Sequence, residues 1–78
     1  MDTSEMTSFV KVVQAGSFTK AAENTGKQKA YLSRVITKLE EQLGVRLLDR
    51  TTRSLSLTEL GREVYERSLK VLEGIGIS

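Results

Sequence analysis

Four cations, Lys27, Lys29, Arg34 and Lys38, fall within one stretch of the chain, interleaved with Gln28, Tyr31, Ser33 and Thr37. Ammonium and guanidinium groups among hydroxyls and an amide form a set that binds anions, and phosphate above all. Further along, Arg50 and Arg53 bracket a threonine-rich run. The rest of the sequence offers little other chemistry. It has neither cysteine nor histidine, so thiolates, zinc sites built on Cys or His, and Ser-His or Cys-His pairs are excluded. An enzyme would have to work with carboxylates or lysines alone, and no nucleophile–base arrangement presents itself. No cofactor and no metal are expected. The lack of cysteine also fits a reducing compartment.

The formal net charge is only +2, but it is unevenly spread. Residues 27–53 hold seven basic against three acidic side chains, whereas residues 1–26 and 54–78 are each slightly acidic. A basic centre between acidic flanks is the pattern of a localised anion-binding surface.

Elements must exist to position these groups. The 78 residues are the length of one domain, and 38% hydrophobic with 28% charged is a folded, water-compatible balance. No run approaches the ~20 apolar residues of a membrane span. With no proline, the glycines divide the chain. Gly16, Gly26 and Gly44 close three segments that each read as a helix. The first carries an apolar stripe of Met6, Phe9, Val10 and Val13, with Asp2 and Glu5 spaced as a capping box. The second is short, capped by Ser17 or Thr19, with Ala21 and Ala22 small enough for close crossing. The third runs from about Gln28 to Leu43, with Leu32, Val35, Ile36, Leu39 and Leu43 as its apolar face.

After Gly44 the period shortens to two. Leu55 and Leu57 alternate with Ser54 and Ser56, predicting a hairpin over about Leu47 to Leu57 with its turn at Thr51 to Ser54. Thr58 then caps a fourth helix, with Glu59 in its first turn. That helix has two apolar edges: Leu60, Val64, Val71 and Ile75 on one, Tyr65, Leu69 and Leu72 on the other. One edge can cover the core while the other is left for a second chain. Gly74 and Gly76 should fray its last turn.

Two helices joined at Gly26, with Leu32 placed to lock their crossing, have the spacing of a helix-turn-helix. At ~100° per residue, Ala30, Arg34, Thr37 and Glu41 point away from the apolar face of the third helix. Ser33 lies on one flank, Tyr31 and Lys38 on the other. The cations come first along the axis and Glu40 and Glu41 last. A solvated helix arranged by its dipole would have the opposite order. The order suits insertion of the N-terminal half into a duplex, where free amides also meet phosphate. A hairpin wing would carry Arg53 to the backbone or minor groove.

The runs Gly16-Ser17-Phe18-Thr19-Lys20-Ala21-Ala22-Glu23, Leu32-Ser33-Arg34, Lys38-Leu39-Glu40-Glu41-Gln42-Leu43-Gly44-Val45-Arg46-Leu47-Leu48-Asp49-Arg50 and Leu57-Thr58-Glu59-Leu60-Gly61 resemble the N-terminal domain of LysR-type bacterial transcriptional regulators. The resemblance implies a mainly α, winged helix-turn-helix fold: a three-helix core, a small β-hairpin wing and a long C-terminal linker helix. It assigns DNA binding to residues 1–58 and dimerisation to residues 59–78. It further implies a cytoplasmic homodimer reading inverted repeats in promoter DNA, with any small-molecule effector held by a C-terminal domain of which this sequence contains nothing. Departures from the family pattern lie at Thr25 and Lys27, usually apolar, and in Gln28-Lys29-Ala30-Tyr31, where Ser-Gln-Pro-Ala or Ser-Gln-Ser-Ala is common.

Together these readings name Arg34 as the main base reader, beside Lys29, Ala30, Tyr31 and Ser33. Thr19, Lys20, Gln28, Thr37, Lys38, Arg50 and Arg53 are expected at phosphates or in the wing. Leu60, Val64, Tyr65, Leu69, Val71, Leu72 and Ile75 are the dimerisation set. The alternative is a winged-helix protein-interaction module without specific DNA binding.

Overall fold

The computed structural model describes residues 3–49 and 55–73. Asp2, Arg50, the expected turn at Thr51 to Ser54 with Arg53, and Gly74, Ile75 and Gly76 lie outside the described residues. Four helices and one two-stranded antiparallel sheet follow in the order α1 (Thr3–Ala15), α2 (Phe18–Thr25), α3 (Lys29–Leu43), β1 (Leu48–Asp49), β2 (Ser56–Leu57) and α4 (Glu59–Leu72). This is the winged-helix architecture expected from the sequence.

Helix α1 is the hub, packed against α2, α3 and α4. That position widens its buried face beyond the stripe the sequence predicts. Phe9 and Val12 are fully buried and Val10 nearly so, while Met6 and Val13 are only partly covered. Val12, outside the expected stripe, is thus central to the core. From α3, Leu32, Ile36 and Leu39 are fully buried and Val35 is 9% exposed. Leu43, expected on the same face, is 42% exposed. It sits in the last turn of α3 and lines a shallow cleft with Val45, Leu60 and Val64 instead.

The wing is joined to the core through Leu47 and Leu48, both buried. Leu48 pairs with Leu57 and Asp49 with Ser56. Leu55 and Leu57 are half-buried against the core and Ser56 is exposed, as their alternation requires. Thr58 has two tasks. Its Oγ1 accepts from Gly61 N at 2.9 Å, capping α4, and donates to the Arg46 carbonyl at 2.6 Å. Its amide donates to Leu47 O at 3.1 Å. The start of α4 is thereby fixed to the strand entry.

The two apolar edges expected on α4 do not describe how it packs. Its buried residues are Gly61 and Ser68, neither of which is on an edge. Val64 and Tyr65, assigned to opposite edges, both lie against the core, and the Tyr65 ring meets Phe9 edge-to-face at 6.4 Å. Small residues on the inner face let the helix backbone come close, and larger neighbours close the flanks.

Candidate nucleic-acid interface

The turn between α2 and α3 is built from local hydrogen bonds. Ser17, the cap that α2 uses, accepts from Lys20 N at 3.1 Å. At the other end Gly26 adopts φ 73°, and its amide donates to Ala22 O at 2.9 Å. That left-handed position strains any residue with a Cβ, which is why glycine stands there. Thr25 stands where the family is usually apolar. Its hydroxyl donates to Ala21 O at 2.7 Å and accepts from Lys27 N at 3.2 Å, so a polar residue closes the turn with both its roles filled. Fully buried Ala21 and Leu32 set the crossing of the two helices from beneath.

Gln28 is the N-cap residue of α3, with extended backbone and no side-chain cap bond. The first amides of α3 therefore lack a side-chain acceptor, leaving donors and the positive dipole end available to an anion. Around them Gln28, Lys29, Ala30, Tyr31 and Arg34 are exposed, and Ser33 and Thr37 are half-buried. Thr19 and Lys20, in the first turn of α2, are exposed too.

Tyr31 organises this surface more than its position in the sequence suggests. Lys27 Nζ lies 5.5 Å from the centre of its ring, within cation–π range. The ring lines two neighbouring clefts. One, of about 420 Å³, runs past Lys11, Asn24, Thr25 and Lys27. The other, of about 400 Å³, is lined by Ser4, Glu5, Tyr31, Arg34, Val35 and Lys38. Arg34 has no ion pair among the described residues. Lys38 is held at 3.3 Å from Glu5 Oε2.

One of the two glutamates near the end of α3 bonds to another element. Glu40 turns its carboxylate to the wing, where Oε2 accepts from Leu47 N at 2.9 Å and Leu48 N at 3.3 Å. Of the two glutamates near the end of α3, only Glu41 is exposed. Neither the Glu5–Lys38 pair nor the Glu40 bonds carry a sequence signal, because no period links residues on different elements.

Residues 3–62 match the family described as bacterial regulatory helix-turn-helix protein, LysR family. The chain belongs to the LysR family. Among LysR-family relatives, the regulator CrgA of Neisseria meningitidis is 49% identical over 69 residues, covering 88% of this chain and 23% of its own length. The transcriptional activator AaeR of Escherichia coli is 43% identical over 70 residues, covering 90% of this chain and 23% of its own. The chain thus spans under a quarter of the length of these curated relatives, which are transcriptional regulators. Among solved structures, the BenM DNA-binding domain in complex with catB site 1 DNA has a TM-score of 0.92 at 38% identity, covering 97% of this chain and 82% of that one. The solved structure of CrgA, a LysR-type transcriptional regulator from Neisseria meningitidis, gives 0.78 at 45% identity over 97% of this chain and 26% of that one.

Proposed function

We propose that this LysR-family chain binds double-stranded DNA sequence-specifically, as a dimer, for transcription regulation. The carrying observation is the presentation of α3. Its back is fixed by fully buried Leu32, Ile36 and Leu39, while Lys29 and Arg34 stand exposed beside uncapped amides at its leading end. The similarity to a BenM domain solved on DNA supports the same reading.

In this reading the leading half of α3 enters the major groove. Arg34 donates its two parallel N–H groups to guanine O6 and N7, a geometry that a planar guanidinium satisfies and other bases do not offer. Lys29 reaches guanine acceptors or phosphate, and Ala30, Tyr31 and Ser33 shape the contact with neighbouring bases. Thr19, Lys20, Gln28 and Thr37 meet phosphates, with Arg50 and Arg53 serving the wing. Glu40, folded towards β1, removes one negative charge from the approach path. Residues 1–58 bind the duplex and residues 59–78 supply self-association.

Selection from a random duplex library tests this directly. The expected winners are two-fold motifs with half-sites about one helical turn apart. Against the selected site, Arg34→Ala should cost ~1–3 kcal/mol and blur preference at one position. Unchanged affinity and preference would remove Arg34 from its role.

A second reading, a protein-interaction module, draws on exposed Leu43, Leu60 and Val71. A salt titration separates the two. Duplex binding weakens steeply with salt as condensed counterions are released, whereas apolar docking does not.

A further inference from the structure

Lys27 and Tyr31 each depart from the family pattern, and the structure brings them together. Lys27 stands in the turn just ahead of Gln28, the N-cap residue of α3. Its backbone is fixed from one side, since its amide donates to Thr25 Oγ1 at 3.2 Å. Its ammonium is placed from the other, 5.5 Å from the centre of the Tyr31 ring on the first turn of α3. A free lysine sweeps many rotamers, and ordering them opposes binding. Here the aromatic face narrows the sweep before any ligand arrives. The charge itself stays uncancelled. A ring face attracts an ammonium through its quadrupole and carries no net charge, so N–H donors remain for an anion. Lys27 is exposed and has no carboxylate at ion-pair distance among the described residues, whereas Lys38 lies 3.3 Å from Glu5. Beside the held ammonium, the first amides of α3 have no side-chain cap and attract an anion themselves.

We propose that Lys27 is a further DNA-backbone contact, neutralising one phosphate at the leading end of α3, and that Tyr31 is the positioning residue that holds its ammonium there. The inference rests on the duplex-binding reading above and adds to it a contact that recognises no base. A phosphate at the uncapped amides meets the helix dipole and a pre-placed cation together. Affinity scales with the fraction of the chain already in the binding-competent arrangement. The ring therefore raises affinity for every duplex alike, by the factor by which it favours the held ammonium. The two residues leave different marks. Without Lys27 a phosphate contact is gone. Without the ring, the lysine still reaches the same phosphate but is less often ready for it.

The test measures binding of the 78-residue chain to a scrambled duplex and to a selected one across a salt series. Lys27→Gln is expected to weaken both complexes by the same several-fold factor and to flatten the log–log salt slope by about 0.9, the value of one phosphate. Lys11→Gln removes an equal charge from the cleft that Lys11, Lys27 and Tyr31 line, without touching the ring contact, and should leave the slope where it was. On the scrambled duplex, Tyr31→Leu keeps apolar bulk but no aromatic face, and should weaken binding about two- to five-fold with the slope unchanged. Tyr31→Phe keeps the face and should bind that duplex like the parent. In a Lys27→Gln chain, Tyr31→Leu should have no further effect. An unmoved slope in Lys27→Gln, or equal flattening in Lys11→Gln, overturns the phosphate contact. No loss in Tyr31→Leu, a loss that persists beside Lys27→Gln, or one that Tyr31→Phe shares, overturns the positioning role. Lys27→Gln changes only an exposed side chain in the turn, so that arm decides even if Tyr31→Leu folds poorly. A parent chain whose binding ignores salt would sink the duplex-binding reading itself, and this inference with it. A steep parent slope with an unresponsive Lys27→Gln sinks only the contact.

Discussion

Gly61 and Ser68 sit seven residues apart on the buried side of α4, and their substitution should act in opposite directions. At Gly61 the constraint is space rather than backbone angle. A Cβ there would overlap the Leu47 carbonyl oxygen and come within 2.9 Å of its carbon. Gly61→Ala must push α4 away from the strand entry, loosening the Thr58 bonds to Arg46 and Leu47. The expected loss is about 1–3 kcal/mol, the usual effect of forcing a methyl into a packed site, read as a lower urea midpoint with an unchanged m value. Ser68 is fully buried and its hydroxyl has no hydrogen-bond partner among the described residues. Such a group lowers stability because its bonds to water are lost without replacement. Ser68→Ala should therefore raise the midpoint, by the equivalent of about 1 kcal/mol. A fall would mean that the hydroxyl finds a partner in solution.

Between elements, the most consequential link is Glu40, whose carboxylate spans from α3 to the amides of Leu47 and Leu48. It orients the wing relative to the helix expected to enter the groove. Glu40→Ala leaves both amides without that acceptor and should cost about 1–3 kcal/mol. Hydrogen exchange at Leu47 and Leu48 should accelerate while exchange at Leu32 and Ile36 changes only with global stability. Equal acceleration everywhere would show that Glu40 supports the whole fold rather than the wing. This link also marks what the sequence could reveal. The four helices, the glycine stops, the buried face of α3 through Leu39 and the hairpin were legible because each is a local period or a local cap. The exposed residues around the leading end of α3 followed from the same helical geometry. Glu40, Glu5 and Gly61 were not legible, since each acts on a residue of another element. Val12 was missed for a related reason: a helix packed on three neighbours buries more than one stripe.

At the scale of the whole molecule, the outer side of α4 carries the two most exposed large hydrophobic side chains among the described residues. Leu60 and Val71 are 47% and 54% exposed, and Leu60, Glu63, Val64, Arg67 and Val71 follow one helical stripe. Glu63 and Arg67 pair at 3.1 Å within it. Leu43 and Val45 extend its apolar surface from the end of α3, across a cleft of about 210 Å³. Tyr65, also in the expected dimerisation set, instead packs on Phe9 within the monomer. Two parts of that set should therefore behave differently. Leu60→Glu with Val71→Glu places four like charges in a two-fold contact and should abolish self-association in sedimentation while leaving the thermal midpoint of the monomer nearly unchanged. Tyr65→Ala should do the reverse, lowering monomer stability by about 1–2 kcal/mol, less than truncation of a fully buried aromatic because the ring is only half-covered. On a two-fold DNA site, the charged double variant should bind one half-site at a time, with the steepness of the binding curve lost. Unchanged sedimentation of that variant would exclude the outer stripe, and self-association would then have to be sought elsewhere on the chain.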